Sequence, residues 1–201
     1  MIRYIKDILD IKNVLGMQRV QPDPQRGWSY YILRSSQPGA YVISANTMIS
    51  QFICRYTDDL GQDQQITKFV FPFTINVQDN TDIDVTNGNN VYGWESLIDE
   101  NTNYISVCRH LRKISPYSNN PDGIYYVDLR DAEDLNTFAI STPNLNTLYA
   151  KATNTDLQNI CLGMLSDTTV ADGVLWIKPS DTYADSVITA ARAKGWEVYY
   201  L

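Results

Sequence analysis

The strictest alternation in the chain runs through Phe69, Phe71, Phe73, Ile75 and Val77. Five large apolar residues at period two place one strand face in a core. Lys68, Val70, Thr74 and Asn76 fall on the opposite face, and Pro72 puts the strand at a sheet edge. Upstream, residues 29–34 and 40–44 flank the turn cluster 35–39 and predict a hairpin. Residues 48–56 form a third strand candidate. Residues 79–90, rich in Asp and Asn, read as a polar hairpin loop turning at Asn87-Gly88. Its oxygens are of the kind calcium takes, but the closing acid of an EF-hand is missing, so the loop reading is preferred.

The first sixteen residues follow a different period. Ile2, Ile5, Ile8, Leu9 and Leu15 sit near helical spacing, with Arg3, Lys6, Asp7, Asp10 and Asn13 mostly on the other side. They predict a short amphipathic helix ending near Gly16. Its stripe packs either on its own domain or on a partner. The five apolar residues are the interaction site to be tested.

From residue 105 onward the pattern repeats. Apolar pairs three apart recur as Leu111 and Ile114, Leu135 and Phe138, Leu145 and Leu148, Leu157 and Ile160. The last three units each open on Asp or Asn, then Leu, two polar residues and another apolar one. Their starts are 10 and 12 residues apart, so two units predict a coil of about 22 residues. Residues 126–129 add a strand candidate. Near the end, residues 173–177 read as a buried strand. A helix over 183–194 carries Ala184, Val187, Ile188 and Ala191 on one face, with Ser180 or Asp181 as its cap. Gly195 stops it. Trp196, Val198 and Tyr200 then alternate inward in a closing strand.

These units, with the Lys-Gly-Trp-x-Val ending, resemble leucine-rich-repeat proteins found on the surface of gut Bacteroidetes and in their phages. The likeness covers about 60 residues well and the remaining C-terminal half loosely. It implies a short solenoid with a strand–helix–strand cap. Strand-loop-strand packing in an unrelated α/β domain is the alternative. The expected fold is α+β and mostly β. An N-terminal arm (1–16) leads into an antiparallel β-rich domain (17–98), followed by the repeat-like domain (99–201).

Composition supports the β bias and narrows the chemistry. Asp outnumbers Glu 19 to 4, and Asn and Thr occur 16 times each; these residues favour turns, caps and strand ends over helix interiors. The net charge of −7 argues against nucleic acid and anionic membranes as partners. The leading residues lack the apolar run of a secretory signal. Cys54, Cys108 and Cys161 are widely spaced in apolar stretches and read as reduced, buried thiols. With one histidine, His110, a histidine-rich zinc site is close to excluded. Cys108 and His110 stand two apart but lack a recognised motif or an evident orienting partner. Arg109, Arg112 and Lys113 form the only basic cluster and read as a solvated face. The carboxylate pairs Asp58-Asp59, Asp82…Asp84 and Asp131…Asp134 read as solvated turns.

No catalytic, cofactor or metal site is therefore expected. The expectation is a non-enzymatic virion component, assembled in the host cytoplasm, whose partners are other virion proteins or further copies of itself. The alternative is a bacterial glycan- or protein-binding module, in the cytoplasm or at the cell surface, stacking ligands on exposed tyrosines and on Trp28 or Trp94.

Overall fold

The computed structural model describes residues 29–46, 52–68, 70–87, 94–107, 109–167 and 173–201. The stripe Ile2, Ile5, Ile8, Leu9 and Leu15, together with Trp28, Phe69 and Cys108, lies outside them. In chain order the elements are β1 (Ser29–Ser35), β2 (Gly39–Asn46), β3 (Phe52–Thr57), β4 (Asp63–Lys68), β5 (Phe73–Val77), β6 (Asp82–Asn87) and β7 (Trp94–Ile98). There follow β8 (Thr102–Val107), β9 (Leu111–Pro116), β10 (Tyr126–Asp128), β11 (Thr137–Phe138) and β12 (Thr147–Tyr149). Helix α1 (Thr155–Asp167), β13 (Val174–Ile177), α2 (Ala184–Ala193) and β14 (Glu197–Tyr200) complete the described chain. The protein is mostly β, with two helices among the described residues.

Nine strands form one sheet in the order β14-β13-β12-β10-β8-β1-β6-β3-β4, and five form a second, β11-β9-β7-β2-β5. The sheets face each other across a single core. Tyr31 of β1 and Phe52 of β3 meet Trp94 of β7 with ring centroids 5.2 and 5.4 Å apart. Beyond β11, helices α1 and α2 continue the second layer.

The strands on either side of residues 35–39 do not pair as a hairpin. β1 pairs with β6 and β8, whereas β2 pairs with β5 and β7. The turn carries the chain from one sheet to the other. The alternation allows this, because Tyr31 and Leu33 on β1 and Tyr41 and Ile43 on β2 are all fully buried, and two apolar faces bury best by facing each other.

The polar segment 79–90 is likewise not all loop. Its middle is β6, paired on both sides within the large sheet, with Ile83 and Val85 buried. An Asp-rich composition masked a period-two pattern. β4 was also unread: it pairs with β3 around a turn in which the Asp58 carboxylate accepts the Leu60 and Gln62 N–H groups. β5 is a sheet edge, as Pro72 implied, with Ile75 and Val77 buried and Thr74 and Asn76 exposed. Phe71 lies outside the strand, its ring edge-on to Phe52 at 4.4 Å.

From β7 onward every element changes layer. The strands that return to the large sheet, β8, β10, β12, β13 and β14, pair in parallel. Ile105, Val127, Leu148, Leu175 and Val198 stand in register across them. Their spacings are 22, 21, 27 and 23 residues. The first four are fully buried and Val198 is half-buried. In two units a local device recurs. The Thr137 hydroxyl donates to Asn136 Oδ1 and the Thr147 hydroxyl to Asn146 Oδ1, both at 3.0 Å.

The third unit departs from this pattern. Leu157 and Ile160 lie in α1, not in a strand. Asn154 Oδ1 accepts the Leu157 N–H at 2.9 Å, as a helix cap does. Leu157, Cys161, Met164 and Leu165 then bury one face at helical spacing. In α2 the buried residues are Ala184, Val187, Ile188 and Ala191, the face read from the sequence. Neither Ser180 nor Asp181 caps it; the Asp181 carboxylate accepts the Ala152 N–H instead. Gly195 has φ +82°, the left-handed stop that glycine adopts freely. At Gly173 a Cβ would lie 2.5 Å from the Trp196 ring, so β13 can enter only as glycine. Trp196 is buried and Val198 half-buried, but Tyr200 is exposed.

Candidate functional site

Because successive side chains alternate, the residues beside the buried row point away from the core. Tyr104, Tyr126, Tyr149, Trp176 and Tyr199 form one continuous stack there, with neighbouring ring centroids 4.6, 5.5, 5.6 and 4.8 Å apart. The stack shifts row between Tyr126 and Tyr149, since Tyr126 is paired with Thr147 and Asp128 with Tyr149.

Arginines and carboxylates continue the row. The Arg34 guanidinium lies 4.3 Å from the Tyr104 ring centre and pairs with Asp82. Arg130 lies 4.2 Å from the Tyr149 ring centre and grips buried Asp128 with two nitrogens. Across β6, Asp84 faces Arg55 at 3.7 Å and accepts the Thr86 hydroxyl at 2.9 Å. Burial pushes the Asp84 carboxyl above its ordinary range, against the pull of Thr86 and Arg55. It also pushes the Tyr104 phenol up to about 12 and raises that of Tyr126 further. These hydroxyls stay protonated near neutral pH and supply no base. The ring faces are largely occupied by one another, so the row offers ring edges and hydroxyls rather than stacking platforms.

The other layer carries a groove. Where it changes from strand to helix, a two-residue strand lies beside an element about 10 Å across, and the step leaves two adjoining hollows. One, about 530 Å³, is lined by Asn46, Glu95, Arg112, Lys113, Asn136, Thr137 and Asp156. The other, about 320 Å³, shares Asn136, Thr137 and Asp156 and adds the apolar Phe138, Ile140, Ile160 and Met164. Glu95 receives Lys113 Nζ and the Ser115 hydroxyl, each at 2.8 Å. Burial opposes its charge, but those contacts and Asn46 hold its carboxyl below the usual range.

The remaining sequence candidates are dispersed. Arg109 pairs with Glu133 at 3.0 Å, and Lys113 with Glu95, so two of the three basic residues meet acids of this chain. His110 has an orienting partner after all: its Nδ1 lies 2.8 Å from Asp134 Oδ2. Asp82 and Asp84 sit on a strand against arginines, not in a solvated turn. Cys54 and Cys161 are buried free thiols, and burial pushes Cys161 up to about 12. Trp94 is fully buried and cannot stack on a ligand.

Sequence reasoning missed the aromatic row. Its signal was present as aromatic residues recurring every 22 to 27 positions, outside the Leu-x-x-apolar units that were aligned. Compared with known proteins, the chain matches no family model, no curated protein and no solved structure.

Proposed function

We propose that this chain is a non-enzymatic structural protein, most concretely a tail, collar or capsid-associated subunit of a bacteriophage particle. In this reading the winding half is a short leucine-rich-repeat-like solenoid. The stripe Ile2, Ile5, Ile8, Leu9 and Leu15 docks the subunit on other virion proteins. One observation carries it: the outward side chains of the large sheet are tied to each other, ring on ring and arginine on carboxylate. Such a face stiffens a scaffold. Mass spectrometry of purified particles tests it. The chain should be present at a fixed copy number, and its absence from particles overturns the reading. Deleting residues 1–16 should leave a folded protein that no longer joins particles.

A second reading, a glycan- or protein-binding module, is favoured by the groove at the strand–helix step, whose lining is polar at one end and apolar at the other. Glycan binding by the isolated chain, lost on Arg112→Ala, would support it over the particle reading.

A further inference from the structure

The two sheets end on four strands, and three of those ends are guarded. β4 (Asp63–Lys68) is polar apart from Ile66 and closes on Lys68, β5 follows Pro72, and two-residue β11 lies beside α1. Charges, prolines and short strands are the ordinary means of keeping an edge from pairing with another chain. The fourth end, β14, has none of these beyond Glu197, whose carboxylate accepts the Tyr199 hydroxyl at 2.7 Å. Tyr200 and Leu201 are exposed there.

Among the described residues, no strand pairs with the outer side of β14. Glu197 N–H donates to Gly173 O and Leu201 N–H to Ile177 O. By the alternation of a parallel ladder, Glu197, Tyr199 and Leu201 face β13, while Val198 and Tyr200 turn their N–H and C=O groups to the open edge.

We propose that this edge pairs with a second copy of the chain, antiparallel, about a two-fold axis at Tyr199. In that register Val198 lies opposite the partner's Tyr200, and Tyr200 opposite the partner's Val198. Each pair exchanges two hydrogen bonds, so all four outward donors find acceptors. Tyr199 meets the partner's Tyr199 at the non-hydrogen-bonded position, where side chains approach closest. The stack from Tyr104 to Tyr199 thereby continues into the second copy, and both open edges disappear.

Charge on the flanking helix suits the same operation. Arg192 of α2 reaches the Tyr200 hydroxyl at 3.0 Å, which places it on the β14 side. Asp185, also exposed, lies two turns earlier on the same helix face. An antiparallel pair of α2 helices brings each Asp185 toward the partner's Arg192. This pairing is independent of the particle reading, since two copies join in dilute solution whether or not the chain belongs to a virion.

Sedimentation of the full chain over a concentration series, with amide exchange, tests it. The protein should dimerise, and the Val198 and Tyr200 amides should be protected in the dimer. Tyr200→Pro removes two intermolecular donors while sparing the bonds to β13. It should weaken the dimer about 30-fold with an unchanged circular dichroism spectrum. Asp185→Arg should weaken it as well, and adding Arg192→Asp should restore it. Leu60→Ser, at the opposite end of the sheet, should have no effect. A monomer at every concentration overturns the proposal. So does a dimer whose Val198 and Tyr200 amides exchange freely, or one that the charge swap fails to restore.

Discussion

The two halves of the molecule share both sheets but are wired differently. Between β1 and β7, apart from the β3–β4 hairpin, the strands that touch are distant in the chain: Ser29 lies opposite Asn87, and Tyr31 is in register with both Val85 and Val107. From β8 onward each strand of the large sheet lies beside the one a single winding away. The antiparallel half is therefore ordered by contacts far apart in sequence and by aromatic packing across the layers, as between Tyr31 and Trp94. The winding half is ordered by repetition, with one buried row and one ring stack carried from winding to winding. A repetitive unit cannot bury its apolar side alone, and here it begins on the ready-made surface of β1 and β7.

That difference is most sharply probed at Leu148, which is fully buried in the middle of the winding half. Leu148→Ala should cost about 2–5 kcal/mol, the range for a core leucine that leaves a cavity. Denaturant unfolding should shift as one transition whether read in the winding half or near Trp94. If only the winding half loses stability, the halves are separate cooperative units.

A smaller effect isolates what is special to the windings. Tyr126→Leu keeps an apolar side chain but removes a ring that stacks on both Tyr104 and Tyr149. With about 0.5–1.5 kcal/mol for each of the two aromatic pairs, the loss should be roughly 1–3 kcal/mol. It should be accompanied by a reduced near-ultraviolet circular dichroism signal. An unchanged stability and spectrum would make the stack incidental.

The smallest effect belongs to the antiparallel half and depends on pH. Asp84 has its carboxyl raised above 3.8 chiefly by burial. The folded state therefore holds that proton more tightly than the unfolded state does. Stability contributed by the group is greatest at low pH and falls as pH rises through the interval just above 3.8. Asp84→Asn should lose that part of the slope, measured by denaturation at a series of pH values. Identical slopes would place the carboxylate in water.

The same contrast decides what could be read from the amino-acid sequence. The α2 face, the β13 run and the spacing of about 22 residues were legible because each is fixed by neighbours within one or two windings, and the edge position of β5 because Pro72 beside it has no N–H to donate. The β1–β2 connection was not. A turn cluster between two apolar runs is equally compatible with a hairpin and with a crossing between sheets, and only distant partners decide. β6 was hidden because its outward positions, Asp82, Asp84 and Thr86, look like a loop until Arg34 and Arg55 are placed opposite them. Leu157 and Ile160 fit strand and helix alike, and Asn154 with the later Cys161 and Leu165 settled the helix. The ring stack needed the register of the parallel strands before its members could be recognised as neighbours.

Native-state amide exchange along β6 and β12 tests the central claim, that one core runs through both halves, most directly. The slowest amides of the two strands should exchange through the same opening, with equal free energies that fall together in Leu148→Ala. Distinct free energies, with β6 unmoved by the Leu148 substitution, would contradict a common core.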